Sequence, residues 1–165
     1  MKSSSVDTRD GFVALYRGTG VIGSLIKWQT RSPYSHASLV YADGQGRPTD
    51  LSIEAREFRG VRRHQITPEE WEVVDLFRVE GMTAAMWHDA FAFAERQLSK
   101  NYDWRGVARF VTRVPAREND RWFCSELACA AIRYAGIPLL KRIDCHEVSP
   151  GILRLAPALV GPIYR

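Results

Sequence analysis

Two stretches of alternating character, Ser35–Tyr41 and Leu51–Phe58, flank the segment Asp43–Gly46 and constrain the fold more than any other feature. Successive side chains of a strand point to opposite faces, so this alternation predicts two strands that each bury one face. Asp-Gly and Gln-Gly steps are typical of turns between paired strands. The chain is therefore expected to contain an antiparallel hairpin within an antiparallel sheet.

The turn also predicts which residues of the two strands face each other. A hairpin folded about Gln45 places Leu39 opposite Leu51 and His36 opposite Glu54. Directly opposed side chains have Cβ atoms roughly 5 Å apart, which allows an imidazole to hydrogen-bond a carboxylate. A β-bulge in the long loop would shift this pairing.

A helix is predicted to begin around Cys124, within the segment Arg121–Leu127. Asn119 and Asp120 are favourable N-cap residues, and Gly136 followed by a proline ends the pattern. The apolar residues that repeat at helical spacing are Leu127, Ala128, Ala131, Ile132 and Ala135. A thiol in the first helical turn lies at the positive end of the helix dipole, which favours the reactive thiolate.

The remaining periodicity completes an α+β pattern. Further strands are predicted at Phe12–Tyr16, Val61–Ile66, Glu72–Val79 and Ala158–Tyr164. Further helices are predicted over Val21–Thr30, from Thr83 to Ser99 and after Ser149, with a turn at Thr67–Glu70. Residues 1–9 are expected to be a flexible tail, and residues 10–165 a single domain.

Composition excludes several classes of protein. The 165 residues are 45% apolar and 25% charged, and no apolar run is long enough to cross a bilayer. The first residues lack the apolar core of a secretory signal, so a cytoplasmic location is expected; release by lysis or a holin would leave no mark. The net charge of +4 suits anionic surfaces. However, the longest basic run is Arg62–Arg63, which indicates solvated surface rather than a nucleic-acid interface.

The three cysteines form no C-x-x-C pair, and their odd number argues against a disulfide framework or a structural zinc site. Cys129 is therefore expected to be a core residue. A metal site built from Cys124, Cys129, Cys145 and His146 would lack any familiar ligand spacing. Neither a metal nor another cofactor is predicted.

Nucleophilic cysteine catalysis requires a thiol, a base within hydrogen-bond reach and a group that orients the base. Cys124 is the candidate thiol, His36 the candidate base, and Glu54 the group that the hairpin places beside that base. The other histidines have weaker contexts, and they are His64, His88 and His146. His146 follows Cys145 directly, but neighbouring side chains on a chain usually diverge.

Three segments together carry a resemblance to a known family. Pro33–Tyr41, Ser52–Ala55 and Trp122–Leu127 resemble the circularly permuted NlpC-type papain-like cysteine hydrolases. This is the YiiX-like group, related to lecithin:retinol acyltransferase, in which the histidine strand precedes the cysteine helix. The resemblance spans residues 11–155.

The resemblance implies an α+β papain-like fold, with an antiparallel sheet or half-barrel packed against helices and the catalytic cysteine at a helix N-terminus. By position it makes Cys124 the nucleophile, His36 the base and Glu54 the orienting acid. Ser38 departs from the pattern, since relatives often have glycine there, and its hydroxyl is expected to narrow the cleft.

In the expected reaction the thiolate attacks a carbonyl and forms an acyl-thioester, which water then resolves. The backbone N–H of Cys124 is a natural oxyanion donor, and Tyr16 is a candidate second donor. The substrates to be considered are cell-wall peptides, fatty-acyl amides and phospholipids. Candidate cleft residues are Trp28, Trp71 and Trp104.

Three functions stay open on the sequence. The first is hydrolysis of an amide or ester in a small-molecule, peptide or lipid-amide substrate. The second is acyl transfer or phospholipase action on the same fold, with peripheral membrane contact. The third is a binding module without catalysis, which predicts a Cys124 that resists iodoacetamide and lies far from His36. The sequence does not specify an oligomeric state.

Overall fold

The computed structural model describes residues 10–18, 24, 27–28, 31–104 and 121–164. Its strands are β1 (Gly11–Tyr16), β2 (His36–Ala42), β3 (Pro48–Arg56), β4 (Gly60–Gln65), β5 (Val74–Val79), β6 (Asn101–Tyr102), β7 (Arg121–Trp122) and β8 (Leu159–Tyr164). Within these residues, six strands form one antiparallel sheet in the order β4-β3-β2-β1-β5-β8, while β6 and β7 pair in parallel. The expected α+β fold with an antiparallel sheet is therefore confirmed.

The helices are α1 (Pro68–Trp71), α2 (Ala84–Glu95), α3 (Cys124–Tyr134) and α4 (Pro150–Arg154), with a 3₁₀ turn at Cys145–Glu147. The predicted turn at Thr67–Glu70 is the start of α1, because Thr67 and Glu70 cap it reciprocally. Thr83 caps α2 as expected, although this helix ends four residues before Ser99. No helix in the described ranges has the length and apolarity needed to span a lipid bilayer.

The sheet separates two layers of buried side chains. Helices α2 and α3 pack on one face, where Ala37, Leu39 and Tyr41 of β2 join the main core. Val40 and Ala42 lie in a smaller core on the opposite face. The predicted alternation along β2 is therefore confirmed, and it fixes which strand residues lie toward the helices.

The predicted pairing of Leu39 with Leu51 is wrong. Leu39 faces Ile53, whereas Ala42 faces Pro48, so the register shifts near the turn. The bulge lies in β3, which advances from Pro48 to Ser52 while β2 moves back only from Ala42 to Val40. Alternation specifies which face a residue occupies, but it does not locate a bulge.

The expectation that no disulfide forms is also wrong. Cys129 in α3 is bonded to Cys145 in the 3₁₀ turn, with Cα atoms 5.5 Å apart. The two cysteines are 16 positions apart in the sequence, and the residues between them contain the end of α3 and a return segment that brings Cys145 back along the helix. Cys129 is buried as predicted, but its sulfur is covalently bound.

Some sequence predictions concern residues outside the described ranges. These are the tail at residues 1–9, the N-cap candidates Asn119 and Asp120, and most of the helix at Val21–Thr30, of which Ser24, Lys27 and Trp28 are described and helical.

Candidate active site

Helix α3 begins at Cys124, as its apolar periodicity predicts. Phe123 is the N-cap residue, and the Glu126 carboxylate accepts a hydrogen bond from the Phe123 backbone N–H at 3.1 Å. The helix ends at Tyr134, and Gly136 follows with a φ of 105°, a left-handed conformation that glycine accommodates readily. Cys124 therefore lies in the first turn, at the positive end of the helix dipole.

Cys124 keeps its thiol, and only 2% of the residue is exposed. The next residue, Ser125, is fully buried and donates a hydrogen bond to the carbonyl of Val148. Together with the Cys129–Cys145 bond, this contact attaches the first half of α3 to the segment that follows it. The position of the thiol is thus fixed by two tertiary links in addition to core packing.

The structure brings His36 and Glu54 into contact. The Nε2 atom of His36 lies 2.6 Å from Oε2 of Glu54, and both side chains are almost completely buried. Continuing the observed register places Arg56 opposite His36, so Glu54 is a diagonal neighbour rather than a directly opposed one. Diagonal neighbours are roughly 7–8 Å apart at the backbone, which an imidazole and a glutamate can bridge.

The second oxygen of Glu54 is held by Arg62. The Nε and Nη2 atoms of Arg62 donate to Oε1 of Glu54 at 3.1 and 2.9 Å. Arg62 is directly opposite Glu54 in the β3–β4 pair. Both oxygens of a fully buried carboxylate are thereby paired, which offsets the cost of removing the charge from water.

The charges of the three residues are coupled. Burial opposes the charged form of His36, but the charges of Glu54 and Cys124 raise its pKa from 6.5 to about 10, and the hydrogen bond to Glu54 acts in the same direction. Burial likewise opposes the charged form of Glu54, yet His36 and Arg56 help to lower its pKa from 4.5 to about 2. Since Nε2 contacts Glu54, Nδ1 is the imidazole nitrogen left for the thiol.

Tyr16 and Ser38, the two further candidates, contact each other. The Tyr16 hydroxyl lies 3.0 Å from Oγ of Ser38, and both residues are buried. Tyr16 is paired with His36 across β1 and β2, and their ring centroids are 5.1 Å apart. Burial and this hydroxyl contact place Ser38 within the sheet layer, where it supports Tyr16. The oxyanion role of Tyr16 stays a prediction.

Arg62 is the site residue that the sequence predictions missed. In the sequence it appears as half of a basic pair, which suggested solvated surface. Pairing β3 with β4 across the short turn at residues 57–59 would have placed it opposite Glu54. The polar contacts continue outward, because Arg62 approaches His64 at 3.4 Å and His64 lies 2.7 Å from Glu70.

Three of the remaining candidates, His88, Cys145 and Trp71, do not join this site. His88 is exposed and lies 3.7 Å from Asp89, while Cys145 has no thiol because it is bonded to Cys129. Trp71 donates to Asp50 at 2.9 Å and packs on the smaller core. Beside His36 there is a cavity of about 120 Å³, lined in part by Arg56 and Glu70.

Comparison with known proteins supports the fold. No profile of a known protein family matches the chain, and no curated protein resembles it closely enough in sequence to match. A solved structure that resembles it is that of the metalloprotein YiiX from Escherichia coli O157:H7. The TM-score is 0.67 at 20% identity, over 91% of this chain and 93% of that chain. At this identity the similarity establishes a shared fold over nearly the whole chain.

The description of YiiX as a metalloprotein raises the question of a metal here. In the described parts of this chain, no three His, Cys, Asp or Glu side chains converge in a way that could hold a metal ion. Both oxygens of Glu54 are already bound to His36 and Arg62. The residues described do not fit a metal centre, and the chemistry below uses none.

Proposed function

We propose that this protein is a cysteine hydrolase that cleaves an amide or ester bond through Cys124, His36 and Glu54, on a permuted NlpC-type papain-like fold. The observation that carries the proposal is the buried imidazole of His36, hydrogen-bonded to Glu54 and carrying a pKa that both Glu54 and Cys124 raise. A nucleophile, a base and an orienting acid are the three components of this chemistry. The histidine strand β2 precedes the cysteine helix α3, which is the order of the permuted group.

The first half-reaction uses the protonated form of His36. The Cys124 sulfur attacks the carbonyl carbon, and the backbone N–H of Cys124 stabilises the oxyanion. His36, whose pKa is about 10, is protonated at neutral pH and donates its proton to the departing amine or alcohol. The carbon–heteroatom bond breaks, and a thioester with Cys124 remains.

The second half-reaction uses His36 as the base. Acylation removes the charge of the Cys124 sulfur, which is one of the causes that raise the pKa of His36. Having given its proton to the leaving group, His36 stays neutral because its pKa is now lower, and the neutral imidazole can accept a proton from water. The resulting hydroxide attacks the thioester, and Cys124 leaves as the thiolate. Glu54 keeps the imidazole oriented through both steps.

The test compares wild type with Cys124→Ala over muropeptide, fatty-acyl amide and phospholipid substrates. We expect at least one class to be hydrolysed by wild type and none by Cys124→Ala. Turnover retained in the Cys129→Ala/Cys145→Ala variant, which lacks the other two cysteine sulfur atoms, would assign the reaction to Cys124. Turnover that is unchanged in Cys124→Ala would contradict the proposal. Product analysis with added amine or alcohol acceptors separates hydrolysis from acyl transfer.

One observation favours a second candidate, a binding module without catalysis. Cys124 is only 2% exposed, and an enclosed thiol of this kind is also what a core cysteine shows. A non-catalytic protein would leave Cys124 unlabelled by iodoacetamide at neutral pH in the folded state. Labelling that requires denaturation would select this candidate over the hydrolase.

A further inference from the structure

Three aromatic side chains form a continuous surface feature that the proposed reaction does not use. Phe58 is 84% exposed and Trp104 is 36% exposed, and their ring centroids are 4.6 Å apart at 55°. Tyr102 is buried beside them, 5.2 Å from Trp104 in an edge-on arrangement. We call Phe58, Trp104 and Tyr102 the aromatic ledge.

Strand pairing places the aromatic ledge next to Cys124. Strands β6 and β7 run in parallel, with Tyr102 opposite Trp122. Trp104 and Cys124 each follow their strand by two positions. The ends of parallel neighbours meet at one edge and are roughly 5 Å apart. Trp104 and the candidate nucleophile therefore each follow a strand end at the same edge of this pair.

Contacts beneath the ledge support the same placement. The rings of Tyr102 and Phe123, the residue before Cys124, have centroids 5.8 Å apart. Burial raises the pKa of Tyr102, and the charge of Cys124 raises it further. The ledge thus packs at one end against the residue that precedes Cys124, and its other end is the exposed ring of Phe58.

The other end of the ledge is attached to the strand that carries Glu54. Phe58 lies in the turn between β3 and β4 and has a φ of 60°, a left-handed conformation unfavourable for a bulky residue. Gly60 completes the turn with a φ of 70°, and a Cβ there would collide with the Lys100 carbonyl. The turn is therefore fixed against the segment that leads into β6. An exposed ring in a strained position, with little burial to offset its cost, is typical of a functional site.

From these contacts we propose that the aromatic ledge is a substrate subsite that binds an aromatic ring carried by the carbonyl compound that Cys124 attacks. This inference rests on the proposed function, because the ring is defined as part of a substrate that Cys124 attacks. The ledge's own rings already meet at tilted and edge-on angles, the arrangements that aromatic pairs prefer. A substrate ring can extend the series on the exposed face of Phe58 or Trp104.

The experiment uses thiol-directed probes on the full chain. Iodoacetamide, N-benzyl-iodoacetamide and N-hexyl-iodoacetamide share one reaction, in which the Cys124 sulfur bonds to the methylene carbon and iodide leaves. Rates at Cys124 are measured by peptide mass spectrometry and divided by the rates for N-acetylcysteine. We expect the benzyl probe to be favoured over iodoacetamide by about tenfold, the effect of one well-placed ring.

The variants separate the ledge from general effects. Phe58→Gly removes the exposed ring and suits the left-handed turn, so it is expected to fold. The benzyl preference should fall close to one in Phe58→Gly and in Trp104→Ala. Tyr134→Ala is the matched control, since it removes another exposed ring at the far end of α3, and it should keep the preference.

Several results would overturn the proposal. A benzyl-to-iodoacetamide rate ratio near one in wild type would contradict the proposed subsite. A ratio that stays high in Phe58→Gly would contradict it as well. A faster normalised rate for the hexyl probe than for the benzyl probe would contradict the aromatic subsite and show that the ledge binds a hydrocarbon chain.

If Cys124 proves unreactive toward every probe, the proposed function fails and the ledge is tested separately. Saturation-transfer NMR with N-benzylacetamide and Cys124→Ala protein then decides. Binding that Phe58→Gly abolishes supports the ledge, and absence of binding rejects it.

Discussion

Glu54 is a charged residue in a position where charge is costly. Its side chain is fully buried, and its two oxygens are bound by His36 and Arg62. A buried charge of this kind persists only when both its partners remain in place. The contacts predict that Glu54 controls the protonation of His36, and that the pair contributes to stability over a defined pH interval.

Replacing Glu54 by Gln is expected to lower the pKa of His36 from its wild-type value of about 10, because the largest stabilising charge beside the imidazolium is lost. NMR titration of the His36 ring measures this directly. Glu95→Gln is the matched control, since Glu95 pairs with Arg63 elsewhere on the same sheet. An unchanged pKa in Glu54→Gln would show that Glu54 does not orient the base.

The same pair predicts how stability varies with pH. Because the pKa of Glu54 falls from 4.5 to about 2, its contribution is complete above pH 4.5 and is lost as the pH falls toward 2. Because the pKa of His36 rises from 6.5 to about 10, its contribution is complete below pH 6.5 and is lost as the pH rises through 10. Glu54→Gln should therefore cost about 3 kcal/mol of unfolding free energy between these limits and less outside them.

Urea denaturation of wild type and Glu54→Gln at stepped pH measures that difference. A free-energy difference that stays constant from acid to alkaline pH would mean that the pair is not ionic.

At the level of elements, the hairpin shows what can and cannot be predicted from alternation. The faces of β2, and the placement of His36 and Glu54 on one face of the sheet, follow from a period of two. The pairing of Leu39 does not, because a bulge is set by local backbone geometry in β3 rather than by hydrophobic pattern. The contact is present despite the wrong register, since long polar side chains also reach their diagonal neighbours.

The disulfide, in contrast, is a feature that the sequence pattern could not predict. Nothing in the spacing of Cys129 and Cys145 predicts their bond, because it depends on where the chain after α3 returns. Arg62 was missed for a similar reason, since its role depends on the pairing of a third strand. Local patterns point to a candidate nucleophile and a candidate base, whereas tertiary pairing is needed to find the residues that support them.

The Cys129–Cys145 bond is expected to stabilise the helix that carries Cys124. The bond closes a loop of 16 residues, for which about 3 kcal/mol of stabilisation is typical. Cys129→Ala/Cys145→Ala should lose about that amount of unfolding free energy in urea without reductant. Reductant should abolish the difference in unfolding free energy between wild type and this double variant. The Cys124→Ser variant, which keeps the disulfide, should unfold with the same free energy advantage as wild type.

Thiol titration of denatured, unreduced protein should find one thiol, that of Cys124. Three thiols would contradict the bond.

For the whole molecule, the α+β fold expected from the sequence agrees with the observed sheet and helices. The sheet, the helices on one of its faces and the similarity to YiiX describe the same architecture. Many functions share a fold, so the proposed activity depends on the site and not on the neighbour. Substrate identity depends on the surfaces around Cys124, which hydrophobic periodicity does not describe.

The central claim is that His36 activates Cys124, and iodoacetamide labelling of the folded protein at neutral pH tests it most directly. We expect Cys124 to be labelled in wild type about tenfold faster than in His36→Gln, because the imidazolium stabilises the thiolate that reacts. His88→Gln, which alters an exposed histidine in α2, should label as wild type does. Equal rates in wild type and His36→Gln, or labelling only after denaturation, would contradict the claim.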